Sequence, residues 1–263
     1  MKKGFSLIEL LVVISILAIL SSLLATAITG AIGNGQAGAC KSNLRQLSIA
    51  NGLHASDRND HFVPAASDLM GSNQHRWHGA REGRRLPFDA SRGPLVPYLE
   101  DATESRACPT LKAVRKSSSE NAFEASCGGY GYNAIGIGSM SYITGFNGHS
   151  ARTGLRRALL QNPMSTVMFA DTAFPQPYRN PDYLIEYSFA EPYFFLNWNT
   201  NTESSRQATA SIHFRHRQQT TQIAWADGHV KPMPLEQGIR ASGGGKAFDM
   251  GWPGGPDNAL FKP

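Results

Sequence analysis

Residues 5–28 read FSLIELLVVISILAILSSLLATAI, 24 residues with a single charge, Glu9. As a helix rising about 1.5 Å per residue, this stretch crosses a hydrocarbon core of about 30 Å. Met1-Lys2-Lys3-Gly4 precedes it, and the two lysines hold the N-terminus on the cytoplasmic side and send the rest of the chain outward. Ala25-Thr26-Ala27 has the small-residue pattern of a secretory cleavage site, so a secretory signal competes with a membrane anchor. The length of the apolar run and the position of Glu9 favour the anchor. A carboxylate at membrane depth costs on the order of 2.5–3.5 kcal/mol, so Glu9 requires a partner.

The rest of the chain is ordinary in composition. It has 263 residues, of which 17% are charged and 41% apolar, enough for one medium domain plus an extension. The formal net charge of +5 is mild, and losing Lys2 and Lys3 would take two from it; such a charge demands no nucleic-acid partner. Three cysteines, Cys40, Cys108 and Cys127, with no C-x-x-C, exclude a disulfide scaffold, a zinc ribbon and a thioredoxin-like site.

Lys3-Gly4-Phe5-Ser6-Leu7-Ile8-Glu9 closely resembles the prepilin peptidase recognition site of type IV pilins and type II secretion pseudopilins. The resemblance implies a cut between Gly4 and Phe5, N-methylation of Phe5, and pairing of Glu9 with the α-ammonium of Phe5 on a neighbouring subunit. Such a pair offsets the cost of burying each charge and sets the stagger between packed helices. Many members of the family carry a proline within this helix. Here none precedes Pro64, and Gly30, Gly33, Gly35 and Gly38 follow the apolar run instead. At about 1 kcal/mol each, these glycines predict a loosened or broken helix.

Ala39–Asp57 reads as helix again, with Cys40, Leu44, Leu47 and Ala50 on one apolar face and Lys41, Arg45 and Asn51 off it. Asn43-Leu44-Arg45-Gln46, Asp57-Arg58-Asn59-Asp60, Cys108-Pro109, Tyr130-Gly131-Tyr132-Asn133 and Asp227-Gly228-His229-Val230 are similar to features of large prepilin-like sets of the planctomycete and verrucomicrobial type. Those sets place nine residues between a histidine and the Asp-Gly pair. Ten separate His216 from Asp227 here, which implies a bulge or a longer loop. The Asp227-Gly228 pair predicts a hairpin with a tight turn of the I′ type. Thr166–Asp171 reads as a buried strand. With the head on an oxidising side, a Cys108–Cys127 disulfide would close a loop of about 20 residues, worth roughly 3 kcal/mol.

Other chemistry has weaker support. The Asp57–Asp60 run and the tail acids Asp249 and Asp257, with Asn258, offer oxygens to calcium, but no spacing demands an ion. His213, His216, Asp227 and His229 could ligate zinc and make the chain a zinc-dependent enzyme, yet no H-E-x-x-H helix is present and the turn alone explains Asp227. Gly128, Gly129 and Gly131 lack the phosphate-loop pattern. His75, Trp77, His78, Arg81, Arg84 and Arg85 form a basic, aromatic stretch that could serve a membrane-tethered DNA- or glycan-binding module; a solvated loop with one anchoring Trp is the simpler account.

The expectation is therefore an α+β, pilin-like chain: leader 1–4, transmembrane helix 5–28, amphipathic stalk helix 29–62, and a periplasmic or extracellular head over 63–263 with an antiparallel sheet. The resemblance implies a structural filament subunit with no catalytic residues and no cofactor. It also implies a prepilin peptidase, an inner-membrane assembly platform, a cytoplasmic ATPase and other pilins or pseudopilins as partners.

Overall fold

The computed structural model describes residues 5–84, 86–99, 107–114, 124–176, 184–242, 245 and 248–263. Helix α1 (Leu7–Asp57) is a single helix of 51 residues, about 77 Å long at 1.5 Å per residue. It opens with a capping box. Ser6 Oγ accepts from the Glu9 N–H, and the Glu9 carboxylate accepts from the Ser6 N–H at 2.9 Å. From Leu7 to Ile28 every side chain is exposed, all round the helix. From Cys40 onward one face turns inward, with Cys40, Leu44, Leu47, Ala50 and Ala55 buried.

The helix does not loosen at its glycines. Arg217 from the head lies across Gly30 and Gly33, where a Cβ on Gly33 would come within 2.9 Å of the Arg217 side chain. Arg217 Nη1 donates to the Gly30 carbonyl at 3.1 Å. The small residues thus admit a brace at the point where helix propensity is weakest, and docking of the flanking turns overrides that propensity. The helix ends at Asp57, and Asn59 and Asp60 follow at positive φ. The Asp60 carboxylate accepts from Arg157 Nε at 2.8 Å and the Ala158 N–H at 3.0 Å, so this run is a helix-ending loop with its acid already partnered.

The head begins with the ladder β1 (His75–Arg76) and β2 (Gly79–Ala80), then a short helix α2 (Pro109–Val114) and strand β3 (Tyr130–Tyr132). Helix α3 (Ser141–Thr144) precedes β4 (Val167–Asp171). Two small ladders follow, β5 (Phe174–Pro175) with β6 (Leu184–Ile185) and β7 (Phe194–Leu196) with β8 (Glu203–Gln207). The chain then runs through β9 (Ile212–His213), β10 (Thr220–Trp225), β11 (Val230–Pro234), β12 (Gly238–Arg240) and β13 (Met250–Pro253). The central sheet is antiparallel in the order β11-β10-β4-β3, and a second sheet runs β12-β13-β9. The buried half of α1 packs on β10 and β4. Between them Tyr132 stacks on Phe169, ring centroids 4.6 Å apart, with Trp77 edge-on to Phe169 at 5.1 Å.

Two local expectations need correction. Asn51 does not lie off the buried face; it is fully buried. Its amide donates to the Tyr132 hydroxyl at 3.0 Å and accepts from the Val63 N–H at 2.9 Å, and the hydroxyl donates to the Val63 carbonyl at 3.1 Å. A polar side chain sits inside because its amide nitrogen and its amide oxygen each have a hydrogen-bond partner there. Asn43 repeats the pattern with the Tyr130 hydroxyl at 3.0 Å. The Asp227-Gly228 turn is also not of the I′ type. Of its residues only Gly228 has positive φ, 91°, and it sits in a bulge where Trp225 N–H meets the His229 carbonyl at 2.9 Å. A type I turn followed by a left-handed glycine gives the same hairpin with one more residue.

Asn51→Ala should lower the stability of the full chain in detergent by about 2–4 kcal/mol, since it strands the buried Val63 N–H and takes from the Tyr132 hydroxyl one of its two partners. Chemical denaturation followed by tryptophan fluorescence would measure this. A change within about 0.5 kcal/mol would show that the Asn51–Tyr132 contact does not hold the helix to the sheet.

Candidate functional site

Two places carry functional side chains. The first is the start of α1. Gly4 lies outside the described residues; Phe5 is exposed, and Glu9 folds back over the first turn. The carboxylate thus has a partner within its own chain, which the Ser6-x-x-Glu9 spacing encodes as a capping signature. The sequence reading sought a partner for Glu9 only on a neighbour.

The second place is the junction of stalk and head, where four segments converge. Helix α1 supplies Cys40. Cys108 stands at the start of α2, where Pro109 occupies the first turn and needs no N–H partner. Asp171 ends β4, and His216 lies in the loop between β9 and β10. All four residues are buried, and one ligand atom from each lies within 4.8 Å of the others. Among the described residues this is the group of His, Cys, Asp and Glu side chains able to hold a metal ion.

The polar surroundings of this cluster are dense. Asp171 Oδ1 accepts from Arg215 Nη2 at 2.8 Å, and Oδ2 accepts from the Gln222 N–H at 2.7 Å. Arg215 also donates to the Thr172 and Gly129 carbonyls at 3.0 and 2.7 Å, and its Nε lies 3.2 Å from Cys108 Sγ. His216 Nε2 is 3.0 Å from Asp171 Oδ2 but off the line of a hydrogen bond, while Nδ1 is 3.5 Å from Thr110 Oγ1. Burial pushes the Cys108 thiol up, but the hydrogen bond from Cys40 and the Arg215 cation outweigh it and bring it down to about 4. The Cys40 thiol, which donates to Cys108, moves up. Burial pushes His216 down; Asp171 and Cys108 outweigh it and raise it to about 9. The cluster can therefore present a thiolate, a carboxylate, an imidazole and a second sulfur to one point.

The other residues singled out in the sequence fall elsewhere. All three cysteines are free, and the Cys108–Cys127 disulfide is absent. The Cys127 thiol meets the Glu186 carboxylate at 3.7 Å, whereas Cys108 faces Cys40. The four zinc candidates do not assemble. The six residues of β10, about 20 Å at 3.3 Å each, separate His216 from Asp227. At the turn Asp227 Oδ1 accepts from the His229 N–H at 3.0 Å and contacts Nδ1 at 2.6 Å, a local motif. His213 is buried but outside the four-residue group. In the tail, Asp249 pairs with Arg240 at 2.5 Å, Asp257 Oδ1 accepts from the Ala259 N–H at 2.8 Å, and Asn258 is buried, bonded to Phe194 and Tyr142.

The basic stretch is only partly a surface: His75 is exposed and paired with Asp68 at 3.0 Å, and Arg84 is exposed, but the rest of its described residues turn inward. Arg76, Trp77, His78 and Arg81 are buried. Arg76 pairs with Glu124 at 2.9 Å inside the protein, Trp77 Nε1 donates to the Ser188 carbonyl at 2.7 Å, and the Arg81 guanidinium lies 4.2 Å over the Phe88 ring. Arg84 donates to the Ser72 carbonyl, and Arg85 lies outside the described residues. A nucleic-acid or glycan reader needs these groups exposed, and Trp77, His78 and Arg81 are used in the interior.

Residues 1–25 match the family model described as the prokaryotic N-terminal methylation motif. No curated protein and no solved structure matches the chain. The motif and the exposed apolar helix that follows it mark a membrane-anchored, pilin-like chain. Cys40 and Asp171 escaped the sequence reading as members of a site. A signal for Asp171 existed, namely an acid closing the buried run Val167-Met168-Phe169-Ala170.

Burial and the neighbouring Arg76 and Arg81 cations lower His78 to about 3, and its ring nitrogens have no hydrogen-bond partner. It stays neutral in the fold, while the unfolded chain takes up its proton below about pH 6.5. Stability should fall as the pH drops from 6.5 towards 3, by up to about 1.4 kcal/mol per pH unit for this group. His54 and His213 shift the same way and add to the slope. His78→Phe should flatten the decline by one proton's share in melts between pH 4 and 7. An unchanged slope would mean that His78 is protonated in the fold.

Proposed function

We propose that the chain is a subunit of a type IV pilus-like or type II secretion pseudopilus filament that supports protein export. A prepilin peptidase would cut between Gly4 and Phe5 and methylate the new N-terminus. The mature chain would sit in the bacterial inner membrane through residues 5–28, with residues 29–62 as the stalk and 63–263 as a head on the periplasmic or outer side. Assembly on an inner-membrane platform, driven by a cytoplasmic ATPase, would then pack the apolar helices into a filament core.

The observation that carries this reading is the contrast along one helix. The apolar part is exposed on every face, whereas the part from Cys40 onward is docked. A bare apolar surface of that size is tolerable in lipid or against like helices and nowhere else. The role needs no catalytic residue in this chain. Glu9 fits it through charge: its carboxylate already lies at the Ser6 N–H, one residue from the ammonium that cleavage would create at Phe5. A neighbour's ammonium could share that carboxylate in a low-dielectric core.

Mass spectrometry of the native protein should find a chain that begins with N-methylated Phe5. A chain beginning after Ala27 would make it a secreted soluble protein and end the proposal. Glu9→Gln keeps an oxygen for the capping bond and removes the charge. That variant should be cleaved and inserted normally yet fail to enter filaments, seen as loss of a sheared or cross-linked high-mass ladder. Wild-type assembly of Glu9→Gln would show that the carboxylate serves only as a cap.

A further inference from the structure

We propose that Cys40, Cys108, Asp171 and His216 form a closed four-ligand site for a borderline divalent cation, zinc, which staples α1 to the head. The donor set comes first. Two sulfurs, one imidazole nitrogen and one carboxylate oxygen suit zinc, whereas calcium and magnesium require oxygen ligands. The geometry is close to what zinc needs. Bonds of about 2.0–2.3 Å give a tetrahedron with edges of roughly 3.3–3.8 Å. Here the four donor atoms lie within 4.8 Å of one another, and the His216–Asp171 edge is 3.0 Å. The longest edge has to close by about 1 Å, a side-chain adjustment.

Three further observations point to a ligand. His216 Nε2, in a side chain 1% exposed, makes no aligned hydrogen bond, although it faces a carboxylate oxygen. An imidazole nitrogen and a carboxylate oxygen that converge without an aligned hydrogen bond, beside two sulfurs, suit coordination by a cation that takes the place of the ring proton. The other imidazole nitrogen lies near Thr110 Oγ1, and the carboxylate is held by Arg215 and the Gln222 N–H, which is the outer support that metal ligands need. Charge closes as well. Two thiolates, one carboxylate, Zn²⁺ and the buried Arg215 guanidinium sum to zero, so the filled site leaves no net charge in the interior. Full burial of all four ligands leaves no open position for substrate, so the role is structural.

The rival is a Cys40–Cys108 disulfide. It would use both sulfurs but would not require a carboxylate and an imidazole to converge on them.

The test uses the full chain purified from membranes in detergent, without added metal or reductant. Elemental analysis should return about one zinc per chain, and all three thiols should titrate after unfolding with chelator. Replacing the metal with cobalt(II) should give a thiolate-to-cobalt charge-transfer band in the near ultraviolet. Cys40→Ser and His216→Gln should each lower zinc content at least about tenfold and weaken or shift that band. Cys127→Ser, whose thiol lies outside the cluster, should keep both. If a ligand variant does not fold, the cobalt spectrum of the wild-type chain still decides. Metal-free protein that gives no cobalt band overturns the proposal. So does a chain with one titratable thiol that gains two on reduction, because the cluster would then be a disulfide.

Discussion

A carboxylate sealed from water at the end of β4 dictates the arrangement around it. Asp171 is fully buried, and an unpaired ion there would cost several kcal/mol. Arg215 and the Gln222 N–H hold it, and His216 stands beside it. Arg215 also reaches the Thr172 and Gly129 carbonyls and the sulfur of Cys108. One acid and one cation thereby tie the end of β4, the approach to β3, the start of α2 and the loop before β10. None of these segments can shift register without stranding a buried charge.

The helix that crosses this junction serves two surroundings. Its first half is apolar and bare, and its second half is part of a folded core. The change of surroundings does not coincide with a change of backbone, because α1 runs on through Gly30, Gly33, Gly35 and Gly38. Asn43 and Asn51, eight residues or about 12 Å apart, bind Tyr130 and Tyr132 on one strand. These polar contacts are directional where a purely apolar interface would let the helix slide along the sheet. A helix without a hinge passes any displacement of its membrane half directly to these contacts.

What the sequence disclosed follows from the range of the forces involved. The anchor, the prepilin-type start, the apolar face of residues 40–50 and the strand ending at Asp171 were legible, since each is written in adjacent or periodic residues. Asn51 was misread because a face assigned by polarity cannot anticipate a tyrosine 81 residues away. Arg81 was read as exposed for the same reason: the Phe88 ring under its guanidinium is brought there by the fold and not by a helical or strand period. The hairpin was placed correctly by Asp227-Gly228, but the turn type depends on how many residues bridge the strands, which the pair alone does not specify. The Cys108–Cys127 pairing rested on the oxidising compartment and on loop closure, neither of which says which sulfurs the fold brings together. Cys40, Cys108, Asp171 and His216 come from four separate segments, and only the docking of α1 on the sheet unites them.

That docking is secured at two heights by three consecutive residues. Arg215 and His216 turn into the cluster at the level of Cys40, and Arg217 turns the other way, onto the Gly30 carbonyl and towards Asn34. The two levels are six to ten residues apart on the helix, about 9–15 Å. A single attachment would let the head pivot about α1; two attachments from one short loop do not. The loop is itself constrained. His216 and Thr220 exchange backbone hydrogen bonds at 3.0 and 3.3 Å, and Gln218 and Gln219 between them hold positive φ, costing on the order of 1–3 kcal/mol each. Strain of that size persists only where surrounding contacts over-determine the backbone, and here they do. Arg215 is fixed by the sheet acid and Arg217 by the helix, so the turn between β9 and β10 is held from both sides. The glycines at 30 and 33 then acquire a reason that helix propensity alone does not supply: they clear the surface on which the second attachment rests.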